Sequence, residues 1–355
     1  MKKTICVLFG GESSEYEISL KSAYSVLTNL DKNLFDIITV GITKDGKWFL
    51  YEDEYSKIIN DKWQETSIHP VSILHGNKES ALLVQKGKDS YEKLYFDVAF
   101  PVLHGKNGED GTIQGLFEIS QIPYVGCGVL ASSVGMDKLI CKKVFSEIGL
   151  PQVNYTDTNR WEFNRNKEEE LNKIEGKLNY PIFVKPANLG SSVGISKATN
   201  REELLTGVEE ALKYDSRIVL EQGIDAREIE VAVLGNEEVK ASIAGEIKPA
   251  KDFYDYEDKY INGASTYDIP ANIKAEDMEN IRKMAVEAFK GIDGKGLSRV
   301  DFFIDMDSGE IFINEINTLP GFTNISMYPK MWAATGLEYP NLIDSIIELA
   351  LDSKK

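Results

Sequence analysis

The beginning of the chain restricts the fold more than any other segment. An apolar, β-branched run at residues 4–9 stops at Gly10 and Gly11, and residues 17–30 then carry apolar side chains near helical spacing. Residues 35–43 form a second apolar run. A strand, a helix and a strand in this order are typical of a parallel α/β unit. The chain is therefore expected to begin with an open parallel α/β domain.

The second half of the chain has a different pattern. Residues 218–247 contain short alternating segments, and residues 298–305 and 310–317 flank an Asp-Ser-Gly turn. Alternation with short connections indicates antiparallel strands, and the last two segments are predicted to form a hairpin. An α+β arrangement is expected here.

Helices and loops are predicted between these strands. Residues 129–148 predict one long helix, and Thr199 with Glu202 predicts a capping box at the start of a helix over residues 200–213. Residues 251–272 hold no period, and they predict a long loop.

These patterns divide the 355 residues into three parts. The N-terminal α/β domain is predicted to cover residues 1–126, a central α+β piece residues 127–217, and a C-terminal α+β piece residues 218–355. Residues 44–95 are polar with short β-like runs, and they predict a decorated insertion in the first domain.

Charge and cysteine content restrict the partners and the compartment. The formal net charge is -17, and such a surface repels phosphate backbones and anionic lipids, so neither nucleic acid nor a membrane is an expected partner. Cys6, Cys127 and Cys141 form no CxxC pair, which suits a reducing compartment. The sequence holds no apolar stretch of membrane-spanning length, and a cytoplasmic location is expected.

The predicted hairpin carries polar residues that alternate with apolar ones. Arg299 and Asp301 share one face of their strand, as do Glu315 and Asn317 on the next. Two carboxylates and an amide oxygen, without nitrogen or sulfur ligands, suit Mg²⁺. The alternative is the solvent-exposed face of a half-buried sheet.

Two lysines and a glycine-rich turn are candidates for binding an anion. Lys185 ends an apolar strand, and Lys138 lies early in the long helix; a phosphate would neutralise either one. Pairing of a snorkelling lysine with a carboxylate is the alternative. The Gly-Ser-Ser-Val-Gly turn at residues 190–194 exposes N–H groups and hydroxyls that suit a phosphate. It is not a Walker A loop, and the chain lacks a dinucleotide fingerprint.

Three further features have both a functional and an ordinary interpretation. Glu15 follows the first strand, where it is placed either to hold an ammonium group or to act as an acid at a helix N-terminus. His104 also follows a strand, and a neutral core histidine is the alternative to a ligand contact. The aromatic and charged run at residues 253–260 indicates either a lid or a surface loop with incidental tyrosines.

Seven segments follow one another along the chain: FGGESSEYEISL, LHGKNGEDGTIQG, MDK, FVKPANLGSSVG, YDYEDKY, SRVDFF and NEINTLPGFTNISMYP. In this order they resemble the D-alanine–D-alanine ligases of the ATP-grasp superfamily. The resemblance covers about residues 4–350, and only residues 44–95 lie outside recognisable motifs. It implies that the second and third parts form a two-piece ATP-grasp module that clasps ATP.

The resemblance also implies a role for each site residue. Two Mg²⁺ or Mn²⁺ ions would be held by Asp301, Glu315 and Asn317. ATP would be contacted by Lys138, Lys185, Gly190, Ser192, Glu221, Gln222, Ile224 and Glu228. The substrates would be contacted by Ile18, His104, Ser326 and Met327. The implied catalytic set is Glu15, Ser191, Lys259, Tyr260, Arg299 and Gly321.

The implied reaction has two steps. The carboxylate of one D-alanine attacks the γ-phosphorus of ATP, and the amine of a second D-alanine then displaces phosphate from the acyl phosphate. Two alternatives stay open: a relative that uses D-serine as second substrate, and a non-catalytic nucleotide-binding relative. Met327 is an apolar wall residue that favours D-alanine over D-serine, and the intact set of charged site residues disfavours a non-catalytic relative. A homodimer is expected from the resemblance.

Overall fold

The computed structural model describes residues 2–76, 79–190, 193–248 and 266–352. Its first sheet has seven strands in the order β6-β5-β4-β3-β2-β1-β7. They are β1 (Lys3–Gly10), β2 (Phe35–Ile42), β3 (Trp48–Tyr51), β4 (His69–Ile73), β5 (Ala81–Gly87), β6 (Ser90–Tyr95) and β7 (Val98–Val102).

The parallel character predicted for this sheet is confirmed only for three strands. β1 pairs in parallel with β2 and β7, whereas β2 through β6 pair antiparallel. Strands joined by short connections pair antiparallel, because a parallel crossover needs a dozen or more residues. The predicted insertion at residues 44–95 is therefore the antiparallel extension of the sheet. The helices of this part of the chain are α1 (Tyr16–Asn29), α2 (Ser56–Ile59) and α3 (Thr112–Ser120).

The single long helix predicted at residues 129–148 is wrong. Two helices, α4 (Val129–Met136) and α5 (Lys138–Glu147), meet at Asp137, whose backbone is extended. The Asp137 carboxylate accepts a hydrogen bond from Ile140 N at 3.0 Å and contacts the Arg217 guanidinium. Asp137 thus caps α5, and its carboxylate is held by Arg217, far along the chain. These two contacts keep Asp137 extended, although the sequence around it has a continuous helical pattern.

A four-stranded sheet follows, in the order β10-β9-β11-β8. β11 spans the predicted boundary at residue 217 and pairs with β8 and β9, and the three-part division stays a prediction. The sequence patterns did not predict β8, α6 or α7. The elements are β8 (Tyr155–Asn159), α6 (Arg160–Arg165), α7 (Lys167–Glu175), β9 (Ile182–Pro186), β10 (Ser196–Ala198), α8 (Arg201–Tyr214) and β11 (Arg217–Gln222).

The capping box predicted at Thr199 and Glu202 is wrong by one residue. Asn200 is the N-cap of α8, and its side chain accepts from Glu203 N at 3.0 Å. The Glu203 carboxylate in turn accepts from Thr199 N at 2.7 Å. Asparagine caps a helix as well as threonine does, so the pattern alone did not fix the register.

The third sheet has six strands, in the order β15-β14-β12-β16-β17 with β13 beside β12. β15 lies inside the segment predicted as a loop, so that prediction is wrong for its three residues. The elements are β12 (Ala226–Gly235), β13 (Lys240–Ala241), β14 (Gly245–Lys248), β15 (Thr266–Asp268), α9 (Ala275–Gly291), β16 (Gly296–Asp305), β17 (Ile311–Asn317), α10 (Met327–Ala334) and α11 (Tyr339–Asp352).

A β-bulge interrupts the pairing of β16 with β17. Asp301 lies opposite Glu315, but Phe302 lies opposite Ile313, so Asn314 is an extra residue in β17. Side chains alternate along a strand, and the extra residue shifts their phase. Ile313 is therefore buried in the core with Phe302, while Glu315 points to the other side of the sheet.

The C-terminal helix joins the first and third sheets. α11 contacts α1 and β7 of the first part and β12 and β16 of the third. Its buried side chains belong to the same apolar core as β1 and α1. Within the described ranges, no helix combines the length and the apolarity that crossing a bilayer requires.

Candidate active site

One cleft, about 280 Å³ in volume, contains most of the predicted site residues that the structure describes. It is bounded by β12, β16 and β17, by the segments around Glu15 and Lys138, and by the loop before α10. The predicted residues that line it are Glu15, Lys138, Gly190, Glu228, Arg299, Asp301, Glu315, Asn317, Gly321, Ser326 and Met327.

The strand pairing confirms that the polar residues of the hairpin lie together. Arg299 is directly opposite Asn317, and Asp301 is directly opposite Glu315. Arg299 donates to Asp301 through Nε and Nη2, both at 2.7 Å, and its Nε lies 3.2 Å from Glu230 Oε1. A guanidinium between two carboxylates is held in one orientation, with its charge at the wall of the cleft.

Lys138 is fixed at the start of α5. Its backbone N–H donates to Ala187 O at 2.8 Å, and its Nζ donates to Leu189 O at 2.8 Å. The same Nζ lies 3.9 Å from Glu315 Oε2. These contacts place the Lys138 ammonium between Leu189 and Glu315, at the lining of the cleft.

Lys185 lies beside the cleft rather than on its lining, and it is paired with Glu221. Lys185 Nζ donates to Glu221 Oε2 at 2.6 Å, and Lys142 Nζ lies 2.9 Å from Glu221 Oε1. Burial alone would raise the pKa of Glu221, but attraction to Lys142 and Lys185 outweighs it and lowers that pKa to about 2. Burial acts to lower the pKa of Lys185, yet attraction to Glu221 raises it overall.

The Glu15 carboxylate packs against two glycines. Gly105 has φ +70°, and a Cβ there would lie 2.3 Å from Glu15 Oε2. A Cβ at Gly190 would lie 3.3 Å from the same oxygen. The left-handed backbone favours glycine at position 105, and a side chain there would displace the Glu15 carboxylate. Glu15 is buried at the edge of the cleft.

His104 is buried next to the cleft and has two polar neighbours. Its Nε2 lies 3.0 Å from Ser22 Oγ, and its Nδ1 lies 3.4 Å from Glu109 Oε1. Ser22 Oγ also accepts from Phe322 N at 3.4 Å, the residue after Gly321. His104 is therefore hydrogen-bonded to α1 and, through Ser22, to the loop before α10.

Ser326 organises that loop. Its Oγ accepts from Thr323 N at 3.0 Å and lies 2.8 Å from Thr323 Oγ1. A Cβ on Gly321 would lie 2.9 Å from Ser326 Oγ, so a larger residue would crowd the hydroxyl. Ser326, Met327 and Gly321 thus form one wall of the cleft.

Several predicted residues lie away from the cleft lining. Ile18 is buried in α1, Gln222 accepts from Asn179 N at 3.3 Å, and Ile224 follows β11 without reaching the cleft wall. Four other predicted positions lie outside the described residues: Ser191, Ser192, Lys259 and Tyr260.

Three polar residues at the site were not predicted. Glu230 lies two residues after Glu228, and this spacing in a strand was a usable signal. Lys142 lies four residues after Lys138, hence on the same helix face. Glu109 lines the cleft and lies in a loop, where spacing gives no signal.

Oxygen donors dominate the polar lining of the cleft. Among the residues that the structure describes, no group of three or more His, Cys, Asp or Glu side chains is arranged to hold a metal. The predicted set instead combines Asp301 and Glu315 with the amide of Asn317. Each carboxylate oxygen has two lone pairs, so Asp301 can accept from Arg299 and still bind a cation. The donor chemistry therefore fits a hard divalent ion.

The α/β part, the two adjoining sheets and the charged cleft fit an ATP-dependent ligase of the ATP-grasp type, and the comparisons with known proteins show that class. The sequence matches the family described as "D-ala D-ala ligase N-terminus" over residues 4–127 and "D-ala D-ala ligase C-terminus" over residues 144–348. The chain belongs to the D-alanine–D-alanine ligase family.

Individual relatives match along the full length. The chain is 51% identical to the D-alanine–D-alanine ligase of Clostridium acetobutylicum over 350 residues, which cover 99% of this chain and 98% of the relative. Among solved structures, the VanG D-Ala:D-Ser ligase from Enterococcus faecalis has a TM-score of 0.89 at 40% identity and covers 99% of this chain and 100% of its own. The D-alanine–D-alanine ligase from Coxiella burnetii has a TM-score of 0.86 at 36% identity, covering 99% and 95%.

Proposed function

We propose that the chain joins two molecules of D-alanine to D-alanyl-D-alanine, through a D-alanyl phosphate and at the expense of ATP, for peptidoglycan precursors. The observation that carries this proposal is the cluster of Arg299, Asp301, Glu315 and Asn317 on paired strands, facing Lys138 in one cleft. A carboxylate and a triphosphate can meet there only if their negative charges are offset. Arg299 and Lys138 supply two positive charges, which Asp301 and Glu315 balance, so the further positive charge would come from divalent ions held by the oxygen ligands.

The metal requirement follows from the donor set. Asp301, Glu315 and Asn317 would hold two Mg²⁺ or Mn²⁺ ions, which when bound offset charge on the β- and γ-phosphates. Lys138 and Lys185 are assigned to the phosphates, with Gly190 beside them; Glu221, Gln222 and Ile224 are assigned to the adenine and Glu228 to the ribose.

The chain's own groups would position both substrates. Glu15 holds the ammonium of the first D-alanine, and Ile18 and His104 are assigned to substrate binding with it. Arg299 and the Gly321 backbone stabilise negative charge on oxygen as each bond forms. Ser326 and the backbone of Met327 receive the carboxylate of the second D-alanine. The remaining assigned residues, which belong to the lid and the glycine-rich turn, are Ser191, Ser192, Lys259 and Tyr260.

Three broader features belong to the same proposal. The chain is divided into domains at residues 1–126, 127–217 and 218–355, it forms a homodimer, and it acts in the cytoplasm on small molecules alone. These assignments follow from the family resemblance and from the net charge of -17.

The test is a measurement of ADP release by the purified protein with ATP and Mg²⁺. ADP is expected only when D-alanine is added, together with D-alanyl-D-alanine detected by mass spectrometry. Turnover without D-alanine, or its absence with D-alanine present, contradicts the proposal.

D-Serine is the second candidate for the second substrate, because the VanG D-Ala:D-Ser ligase is a structural neighbour over the whole chain. Met327 is buried at the cleft wall and offers no hydrogen bond to a hydroxyl. Thr323 and Ser326 line the same wall, but their hydroxyls contact each other at 2.8 Å, so a hydroxyl on the substrate would have to compete with that contact. A competition between D-alanine and D-serine at equal concentration is expected to yield mainly D-alanyl-D-alanine; a majority of the mixed dipeptide would favour the second candidate.

A further inference from the structure

A second buried lysine shares the carboxylate that binds Lys185. Lys142 lies on α5, and its side chain is only 2% exposed. The Glu221 side chain, on β11, is 4% exposed. Its Oε1 lies 2.9 Å from Lys142 Nζ, and its Oε2 lies 2.6 Å from Lys185 Nζ. Lys142 also lies over the Tyr155 ring, 5.2 Å from its centroid. Lys142, Glu221 and Lys185 together form a Lys–Glu–Lys cluster.

The Lys–Glu–Lys cluster has an excess of one positive charge. Glu221 stays ionised because both lysines lower its pKa to about 2. Two cations and one anion out of water leave a net charge that bulk solvent screens weakly. Lys185 is the more accessible cation, at 12% exposure against 2% for Lys142. It is also attracted by Glu228 and Glu315, which line the cleft, so Lys185 is the cation of the cluster that lies toward the cleft.

Lys142 also limits how Glu221 can bind Lys185. Each carboxylate oxygen contacts a different lysine, so Lys185 receives one oxygen and keeps further N–H donors for other acceptors. Without Lys142, both oxygens would turn to Lys185 and form a neutral ion pair with it. A neutral pair attracts a phosphate far less than a cation does.

We propose that Lys142 is a positioning residue for nucleotide binding, which holds one Glu221 oxygen so that Lys185 keeps a net positive charge toward a nucleotide phosphate. This inference rests on the proposed function, since it assigns Lys185 to ATP. Lys142 itself is too deeply buried to touch the nucleotide, and it acts through Glu221.

The experiment measures the binding of a non-hydrolysable ATP analogue with Mg²⁺ by isothermal titration calorimetry. Lys142→Met removes the charge and keeps a side chain of similar length, and it is expected to weaken binding of the analogue about tenfold or more. In the enzyme assay KM for ATP should rise, while KM for D-alanine stays within twofold of the wild-type value. Lys142→Gln can still donate to one Glu221 oxygen but brings no charge, so Glu221 and Lys185 are left as a neutral pair and binding should fall as much. Lys142→Arg should stay within threefold of wild type. Lys143→Met, an exposed neighbour on α5, is the control and should leave binding unchanged.

A double-mutant cycle separates positioning from a structural role. In the Glu221→Gln background there is no carboxylate to share, so adding Lys142→Met should change the affinity by less than threefold. An equal loss in both backgrounds, or wild-type binding by Lys142→Gln, overturns the inference. If Lys142→Met does not fold by circular dichroism, Lys142→Gln and the double variant decide. Failure of the wild type to bind the analogue would count against the proposed function instead.

Discussion

Glu221 makes a pH-dependent contribution to stability whose size follows from its surroundings. Its pKa falls from 4.5 to about 2 in the folded chain. At about 1.36 kcal/mol per pKa unit, this difference is worth about 3 kcal/mol of unfolding free energy. Because the folded pKa is the lower one, the contribution is complete above pH 4.5 and is lost as the pH falls toward 2. The Glu221→Gln variant lacks it at every pH.

Urea unfolding followed by circular dichroism tests this value between pH 7 and pH 3. At pH 7 the Glu221→Gln variant should be about 3–5 kcal/mol less stable, since Lys142 and Lys185 lose their shared partner. Between pH 4 and pH 3 the wild type should lose about 1 kcal/mol more than the variant, because the unfolded carboxyl is then mostly protonated and the folded one is not. Glu202→Gln, an exposed acid on α8, is the matched control and should follow the wild type. Parallel pH profiles for wild type and Glu221→Gln would refute the reasoning.

Three further predictions concern the cleft and one helix start. Arg299→Lys keeps the charge but loses the two-point contact with Asp301. In an ADP-release assay kcat should fall about 10²–10³-fold, while the thermal melting temperature stays nearly unchanged. A fall in kcat of less than threefold would contradict this prediction. Glu315→Gln should raise the Mg²⁺ concentration needed for half-maximal rate, and an unchanged Mg²⁺ titration would remove Glu315 from the metal set. Asn200→Ala should destabilise the fold by about 1 kcal/mol in urea unfolding through the lost cap, while KM values stay as in the wild type.

The sequence was sufficient where local periodicity decides the geometry. Arg299 and Asp301 are two residues apart, as are Glu315 and Asn317, and alternation alone predicted that each pair shares a face. The hairpin turn then brought the two faces together, and the strand pairing confirms it. The roles of these residues in binding stay predictions.

The sequence was insufficient where a distant residue decides. The break before α5 depends on Arg217, which contacts Asp137 across 80 positions. The ion pair between Lys142 and Glu221 likewise joins a helix to a strand of another part of the chain. A helical pattern reports which face is apolar, but it does not report which buried charge will find a partner.

The extra residue at Asn314 sets which side of the sheet the side chains of β17 face, so the number of residues in this strand is critical. With it, Ile311 and Ile313 pack in the apolar core, while Glu315 and Asn317, only a few positions later, line the cleft. Deleting one residue here would invert the two groups, placing carboxylates among apolar side chains or isoleucines in the cleft. Substitution at position 314 should therefore be far better tolerated than deletion. A deletion in this strand would cost either the packing of the isoleucines or the position of the carboxylates.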